Sequence, residues 1–258
     1  NVRESADKTD LVLNPVWLQF RFDLFERFCW PSVRAQTTGA FTWLVFFDKD
    51  TPEPFRARTE RYAGFPPFRP VFVELMSTEG VQAAIERNRR APTSHLITTR
   101  LDNDDGLCVD FIQRVQAEFR GQRSEVINFT YGYVWRNGRI YWHADRSSPF
   151  ASLIECTANI RTVWARWHTR LSELAPIIQV ADQPMWLQVV HGANVRNRTR
   201  GVRQPAGALR GRFVLGSAVE EVHDPLLLYL IDRHVLSPAR NVRESLIHAA
   251  KRLGVVRR

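Results

Sequence analysis

The sequence predicts an α/β fold, with helices layered over a sheet and a helical, basic C-terminal tail. Strand-like and helix-like segments alternate along its 258 residues, which is the pattern of a layered α/β protein. Hydrophobic residues make up 44% and charged residues 24% of the chain, as in proteins that fold around a core. No apolar run approaches the roughly 18 residues that are needed to cross a bilayer.

The first half of the chain alternates helix and strand. Asn14-Pro15 begins a helix that carries a broad apolar stripe and that Pro31 interrupts. The nearly continuous apolar run Phe41–Phe47 predicts a strand buried on both faces, as in a parallel sheet. The following segments predict, in order, a helix over 53–63, a strand over 71–75, a helix over 79–90, a strand over 95–101 and a helix over 107–119.

The pattern changes near residue 126. Aromatic strands over Val126–Trp135 and Arg139–His143 are joined at Asn137-Gly138, a strong hairpin signal. Their aromatic side chains either pack in the core or stack on sugar rings. The remaining segments predict strands over 150–155, 177–180 and 185–190, a helix over 163–174 and a helical tail over 226–231 and 242–256. We expect one compact domain with two halves, 1–125 and 126–258.

The charge of the chain bears on its partners. Its net charge is +9 and its isoelectric point about 10.2, and 33 of its 36 basic residues are arginines. Arginine suits phosphate groups because its planar guanidinium makes bidentate contacts. Such a skew also reflects genome composition, so nucleic acid is not the expected partner. The three cysteines are widely spaced and contain no CxxC pair, which favours a reducing compartment, here the cytoplasm.

The acidic cluster 102–105 follows the predicted strand over 95–101. Ligands of open α/β sheets bind beyond the carboxyl ends of the strands. Carboxylates at this place suit a divalent ion, Mg²⁺ or Mn²⁺, that also binds a substrate diphosphate. The alternative is an ordinary turn, in which Asp and Asn are common.

Two further positions are candidate ligand contacts. His191 ends an apolar strand and is either a ligand or a structural hydrogen-bonding residue. Asp48 ends the strand at 41–47, where a carboxylate accepts a hydrogen bond from a base or ribose, or caps a turn. The loop after His191 is rich in glycine and arginine, which suits closure over a diphosphate or makes it a solvated basic loop. Its arginines are Arg196, Arg198, Arg200, Arg203, Arg210 and Arg212.

Several enzyme classes lack their signatures. The sequence contains no Walker A motif, no GxGxxG after a strand, no GxSxG and no HExxH. Dinucleotide-binding enzymes, P-loop NTPases, serine hydrolases and zinc metalloproteases of those types are therefore not expected.

Four segments together resemble the bacterial family of putative rhamnosyltransferases, which is itself similar to glycosyltransferases of the GT-A type. The resemblance runs from Trp17 to about Asn197. The segments are Phe41–Asp48, Leu101–Leu107, Ile127–Tyr133 and Trp186–Asn194.

The resemblance implies a Rossmann-type mixed sheet flanked by helices. Residues 1–125 would bind the nucleotide sugar, and 126–258 the acceptor. A GT-A domain begins with a strand whose end contacts the nucleotide, whereas this sequence begins at Asn1-Val2-Arg3. Either that strand lies upstream, with Asn1 and Arg3 as remnants of the nucleotide-binding turn, or the sheet is built differently. Asp102-Asn103-Asp104 would be the DXD motif, and the metal, Mn²⁺ or Mg²⁺, would bind Asp104, Asp102 and His191. The implied donor-binding residues are Asp48, Arg100, Asp102, Arg196, Arg198 and Arg200.

The expected activity is transfer of a sugar, with rhamnose a candidate, from a UDP- or dTDP-linked donor to a glycan or lipid-linked acceptor. An inverting enzyme needs a carboxylate base, for which Glu155 and Asp182 are candidates, with Asp145 behind them. The alternatives are a metal-dependent phosphodiesterase or nuclease that uses the same acidic cluster, and a basic binding module without catalysis. The basic tail over 242–256 adds peripheral contact with an anionic membrane as an expectation.

Overall fold

The computed structural model describes Val2 and residues 12–89, 91–192 and 198–252. The predicted first strand and its remnants Asn1 and Arg3 lie outside these residues.

The first helix, α1, begins where the sequence predicts. The Asn14 side chain accepts hydrogen bonds from the backbone N–H groups of Val16 and Trp17. Pro15 is suited to the first helical position, because a backbone N–H at that position would have no partner within the helix. Helix α1 runs through Pro15–Leu24, a π-helical turn at Phe25–Cys29 and Trp30–Arg34. The π-helical turn lies directly before Pro31, so the predicted interruption is a local change of helical pitch.

The strands in the described part of the chain form three sheets. Strand β1 (Trp43–Asp48) pairs in parallel with β2 (Phe68–Val73). A second sheet has the order β3-β8-β5-β9, and a third has the order β11-β7-β6-β10-β4. The strands of the second sheet are β3 (His95–Thr99), β5 (Ser124–Phe129), β8 (Ser152–Cys156) and β9 (Ile177–Val180). Those of the third are β4 (Gly106–Leu107), β6 (Tyr131–Arg136), β7 (Arg139–Ala144), β10 (Trp186–Val189) and β11 (Val202–Arg203).

The pairing within the sheets is mixed. Strand β5 is parallel to β9 and antiparallel to β8, and β10 is parallel to β6 and antiparallel to β4. The helices α2 (Glu53–Glu60), α3 (Thr78–Asn88) and α4 (Phe111–Ala117) alternate with the strands of the first half. The prediction of an α/β fold with mixed sheets flanked by helices is confirmed.

The prediction of one strand over 126–135 is wrong, because the chain changes sheets at Thr130. The Thr130 N–H donates to Val180 O at 2.9 Å, and Thr130 O accepts from the Asp145 N–H at 2.8 Å. These bonds end the pairing of β5 and begin the hairpin of β6 and β7. That hairpin turns at Asn137 and Gly138 with φ values of 47° and 77°, as its sequence predicts.

Three other predictions need correction. The predicted helix over 163–174 is two short 3₁₀ segments, Val163–Ala165 and His168–Glu173, because Trp167 is extended between them. The helix predicted over 107–119 begins only at α4, since Gly106–Leu107 pairs with β10. The strand predicted over 71–75 is β2, three residues earlier in the chain.

Trp186 occupies the centre of the core and explains part of the sequence pattern. Its ring stacks on Phe150 with centroids 5.1 Å apart, and its Nε1–H donates to Phe129 O at 2.8 Å. A Cβ atom at Gly132 would lie 2.0 Å from Cδ2 of the Trp186 ring. Only glycine fits there, so Gly132 and Trp186 belong to one packing unit.

The last described element is α5, a continuous helix formed by Leu226–Ile231, a π-helical turn at Asp232–Leu236 and Ser237–Arg252. Within the described part of the chain, no helix combines the length and the hydropathy that crossing a bilayer requires.

Candidate active site

A cavity of about 2200 Å³ lies beside α1, between the edges of β1 and β3. Residues 43–47 of β1 and all of β3 line it, and the acidic loop after β3 closes one end. Its volume exceeds the roughly 300–1,000 Å³ of most ligand pockets. The carboxyl end of β3 therefore borders a large open space.

Three elements converge on Asp104. His191, which follows β10, places its Nε2 at 2.8 Å from Oδ2 of Asp104. Arg21 of α1 donates to the same oxygen from Nη1 at 3.2 Å and also binds Oδ1 of Asn103. The Phe20 ring meets the His191 ring edge-on, with centroids 5.2 Å apart. The helix thus holds both members of the Asp104–His191 pair.

The next residue of the loop, Asp105, explains why the pair forms. It is buried, and its Oδ1 accepts a hydrogen bond from the Val189 N–H at 2.7 Å. Because Val189 ends β10, this bond fixes the acidic loop to the strand that carries His191. Burial and the neighbouring charges of Asp104 and Asp102 raise the pKa of Asp105, which suits an anchoring role.

Asp104 differs from Asp105 in that its surroundings favour the ionised form. Burial alone would raise the pKa of this carboxyl group. The hydrogen bond with His191 and the charge and hydrogen bond of Arg21 outweigh that effect and hold the pKa below its ordinary value. Asp104 is therefore a carboxylate at neutral pH.

The chemistry of the pair fits a divalent ion. Oδ2 of Asp104 and Nε2 of His191 are about as far apart as adjacent ligands of one ion. Mn²⁺ accepts imidazole as well as carboxylate ligands. Asp102 is half exposed and contacts Arg100 instead. Across the described ranges, no group of three or more His, Cys, Asp or Glu side chains is arranged to hold a metal.

Basic side chains surround the same cavity. Arg100 lies 3.4 Å from Asp102 and places its guanidinium over the rings of Trp164 and Trp167, at 4.3 and 5.4 Å. Arg198 and Arg200 also line the cavity. Arg196 lies outside the described residues. The cavity therefore presents positive charge close to Asp104.

A sequence profile of the family described as putative rhamnosyl transferase matches residues 1–203. The chain belongs to this family. The matched region includes Arg21, the acidic loop and His191, and it ends before α5. No curated protein sequence matches the chain. The family's description is that of a glycosyltransferase, an enzyme class that uses a nucleotide-sugar donor and a glycan acceptor.

Asp48 was a candidate for contact with a base or ribose, or for capping a turn. In the structure its side chain makes a turn-forming contact. Asp48 is buried, and its Oδ1 accepts from the Asp50 N–H at 3.0 Å. Thr51 Oγ1 donates to Asp48 O at 2.7 Å. Phe47 and Thr51 line the cavity at this end of β1.

The three candidate bases have different surroundings in this family member. Glu155 is buried, and its two oxygens accept from the N–H groups of Arg161 and Thr162 at 3.0 and 2.8 Å. Asp182 is half exposed and pairs with Arg114. Asp145 lines the cavity, and its Oδ1 accepts from the Ser147 N–H at 2.8 Å. Only Asp145 of the three lies at the cavity wall.

The loop predicted to close over a diphosphate divides into two parts. Arg203 is buried between Asp224 and Asp232, at 3.0 and 3.7 Å, and Arg212 pairs with Asp110 at 3.0 Å. These two arginines are held in ion pairs with other parts of the chain. Arg198 and Arg200 form the part that reaches the cavity.

Sequence analysis missed Arg21 and the two tryptophans of the cavity. Arg21 stands inside the apolar stripe of α1, one turn after Trp17, and a charge at such a position was the available signal. No pattern in the sequence marks Trp164 or Trp167, because they belong to 3₁₀ turns and to the extended residue between them.

Proposed function

We propose that this family member is a metal-dependent glycosyltransferase that transfers a sugar, with rhamnose the first candidate, from a nucleoside-diphosphate donor. The acceptor is a hydroxyl group of a glycan or lipid-linked glycan. The observation that carries the proposal is the Asp104–His191 pair, held by Arg21 at the wall of a cavity beyond β3. Residues 1–125 supply most of the donor side, and the second half supplies the acceptor side.

The donor diphosphate binds between Asp104, His191 and the arginines. A Mn²⁺ or Mg²⁺ ion bound there would neutralise negative charge on the leaving diphosphate. Asp104 stays ionised because Arg21 and His191 stabilise its charge. Arg100 is held on the Trp164 ring in a fixed position, which suits bidentate contact with phosphate oxygens. Arg198 and Arg200 contribute charge from the other side.

The acceptor side centres on Asp145 and Trp167. In an inverting reaction, Asp145 takes the proton of the acceptor hydroxyl, since it is the candidate carboxylate at the cavity wall. Trp167 lines the cavity with 61% of its surface exposed, which leaves a ring face for stacking on a sugar. The hairpin aromatics Trp135 and Tyr141 are buried, so they belong to the core.

In this proposal the fold is of the GT-A type, in which a further strand would pair between β1 and β3. Among the described residues, β1 pairs only with β2 and β3 only with β8. Their other edges line the cavity, where unpaired backbone groups are unfavourable. Val2 lines the cavity as well. The large volume accommodates both that strand and a donor.

Calorimetric titration of UDP, dTDP, GDP and CMP, each with Mn²⁺ and with EDTA, tests the proposal. We expect one nucleoside diphosphate to bind with Mn²⁺, to lose affinity in EDTA and to bind at least about tenfold more weakly to Asp104→Asn. Glu86→Gln is the matched control, because Glu86 is exposed on α3 and contacts only Arg89 among its described hydrogen-bond partners. Binding that neither EDTA nor Asp104→Asn changes would contradict the proposal.

The phosphodiesterase alternative is less well supported. Two-metal hydrolysis needs more ligands than one carboxylate and one imidazole, and no larger group occurs among the residues that the structure describes. Release of nucleotides from DNA or RNA by the purified protein, abolished by Asp104→Asn, would replace the transferase with this activity.

A further inference from the structure

The outer surface of α5 is apolar to an unusual degree. Leu226 is 71% exposed and Leu227 is 69% exposed. An exposed apolar helix surface of this kind marks an interaction site. Its large exposed side chains, here called the apolar face, are Leu226, Leu227, Leu228, Leu230, Ile231, Val235, Leu236, Val242 and Leu246.

The inner side of α5 is polar. Asp232 is buried and accepts hydrogen bonds from the Tyr141 hydroxyl at 3.0 Å and from Arg240 at 2.6 Å. Ser237 is fully buried and accepts from the Arg203 N–H at 3.1 Å. Arg233 donates to Arg203 O at 2.8 Å.

This polarity is the reverse of the usual arrangement, in which a surface helix packs its apolar side on the core. The hydrogen bonds of Asp232 and Ser237 fix the rotation of α5, so the apolar face cannot turn inward without leaving these buried polar groups unsatisfied. The fold therefore keeps the apolar face on the outside of the protein.

We propose that α5 docks on an anionic membrane surface, with its apolar face lying in the lipid interface. Residues 225–258 contain seven basic and only two acidic residues. Arg243 is exposed next to Val242 and one turn from Leu246, so cations accompany the apolar side chains. An apolar helical face bordered by cations is the chemistry of an interfacial helix on anionic lipid.

A second copy of this chain is a poorer occupant of the apolar face. Parallel packing of two α5 helices would bring their basic C-terminal halves together, which like-charge repulsion opposes. Anionic headgroups instead neutralise those charges.

The docking surface is connected to the cavity. Glu244 of α5 pairs with Arg198 at 3.1 Å and lies 4.0 Å from Arg200, and both arginines line the cavity. Docking of α5 thus sets the distance between the cavity and the membrane. This step rests on the proposed function, because it favours acceptors that are linked to lipid.

Flotation of the full chain with vesicles tests the inference. We expect the protein to float with phosphatidylcholine vesicles that contain about a third phosphatidylglycerol, and not with phosphatidylcholine alone. Leu227→Asn with Ile231→Asn removes two exposed side chains one turn apart and should weaken vesicle partitioning about tenfold or more. Val16→Asn is the matched control, because Val16 is equally apolar and 79% exposed on α1. Circular dichroism confirms that each variant is folded.

A separate variant tests the contribution of positive charge beside the apolar face. Arg243→Gln should reduce flotation at low salt, whereas Arg61→Gln, at an exposed arginine distant in sequence, should not. Absence of flotation, or flotation that the double variant does not weaken, would overturn the inference. A dimer in analytical ultracentrifugation that the double variant dissociates would assign the apolar face to a second copy.

Nucleoside-diphosphate titration of the double variant separates this inference from the proposed function. Affinity without vesicles should equal that of the parent protein, because the apolar face is outside the cavity. If no nucleotide binds either protein but flotation still depends on Leu227 and Ile231, the proposed function fails and the docking surface stands.

Discussion

His191 Nε2 lies 2.8 Å from Asp104 Oδ2, although 87 residues separate them in the sequence. The Asp105–Val189 hydrogen bond creates this proximity by fixing the acidic loop to the end of β10. Arg21 then completes the site from α1. The spatial relation of the pair therefore depends on a residue that takes no direct part in it.

Substitution of Asp105 tests this dependence. Asp105→Ala should lower the free energy of unfolding by about 1–3 kcal/mol, because the buried Val189 N–H loses its acceptor. Nucleoside-diphosphate affinity in Mn²⁺ should fall as well, since the loop is no longer fixed beside His191. Urea unfolding and calorimetry measure the two effects.

Asp105→Asn is the matched control for that experiment. An asparagine oxygen accepts the same bond from Val189, so stability and affinity should stay close to those of the parent protein. If Asp105→Ala binds nucleotide as well as Asp105→Asn does, the anchoring role of Asp105 is wrong.

Local sequence patterns predicted the elements better than the site. The helix start at Asn14-Pro15, strand β9 and the Asn137-Gly138 turn follow from short-range chemistry, and the structure confirms them. The change of sheet at Thr130 could not be predicted, because it depends on bonds to Val180 and Asp145 from other parts of the chain.

In the candidate site, too, some residues could be named from local sequence and others depend on tertiary contacts. Asp104 and His191 stand out at strand ends, so sequence analysis named them as candidates, and the structure places them 2.8 Å apart. Arg21 and Trp167 reach the cavity through tertiary packing, and the only local signal was the charge of Arg21 inside the apolar stripe of α1. Glu155 has a plausible residue type for a base, but backbone N–H groups occupy its two oxygens. Only the three-dimensional contacts distinguish it from Asp145.

Asp145→Asn separates chemistry from donor binding. We expect transfer to fall by about 10²–10⁴-fold, the usual contribution of a general base, while nucleoside-diphosphate affinity is unchanged. The asparagine side-chain oxygen still accepts the hydrogen bond from the Ser147 N–H, so the fold should be retained. Initial rates of donor consumption with a glycan acceptor measure the effect.

Glu155→Gln and Asp182→Asn complete this comparison. Glu155→Gln should lower stability, because it weakens the bonds to Arg161 and Thr162, and Asp182→Asn should change little. Near-normal transfer by Asp145→Asn, or loss of transfer in Asp182→Asn at full stability, would move the role of base away from Asp145.

Asp224 should make stability depend on acid pH. Hydrogen bonds from Arg139 and Arg203 lower its pKa from 3.8 to about 2. A carboxyl group with a lowered folded-state pKa stabilises the fold above its unfolded-state pKa and loses that effect as pH falls through the folded-state value. Asp224→Asn should therefore cost about 1–2 kcal/mol at pH 7.

The difference between the parent protein and Asp224→Asn should shrink as the pH falls from about 4 towards 2. Urea unfolding at pH 7, 4 and 3 measures it, and Asp182→Asn, which is half exposed, is the control carboxylate. A difference in stability that is the same at all three pH values would show that the charge of Asp224 is not the source of the effect.

Amide hydrogen exchange tests whether a strand pairs between β1 and β3. The protein should protect amides on both edges of these strands, since buried backbone groups are almost always hydrogen-bonded. The amides bonded to β2 and β8 serve as the internal reference, because their partners are already in the structure. If the reference amides are protected while alternate amides of β1 and β3 exchange at loop rates, the cavity edges are unpaired. The GT-A arrangement would then be incorrect, and the whole cavity would be open to ligand.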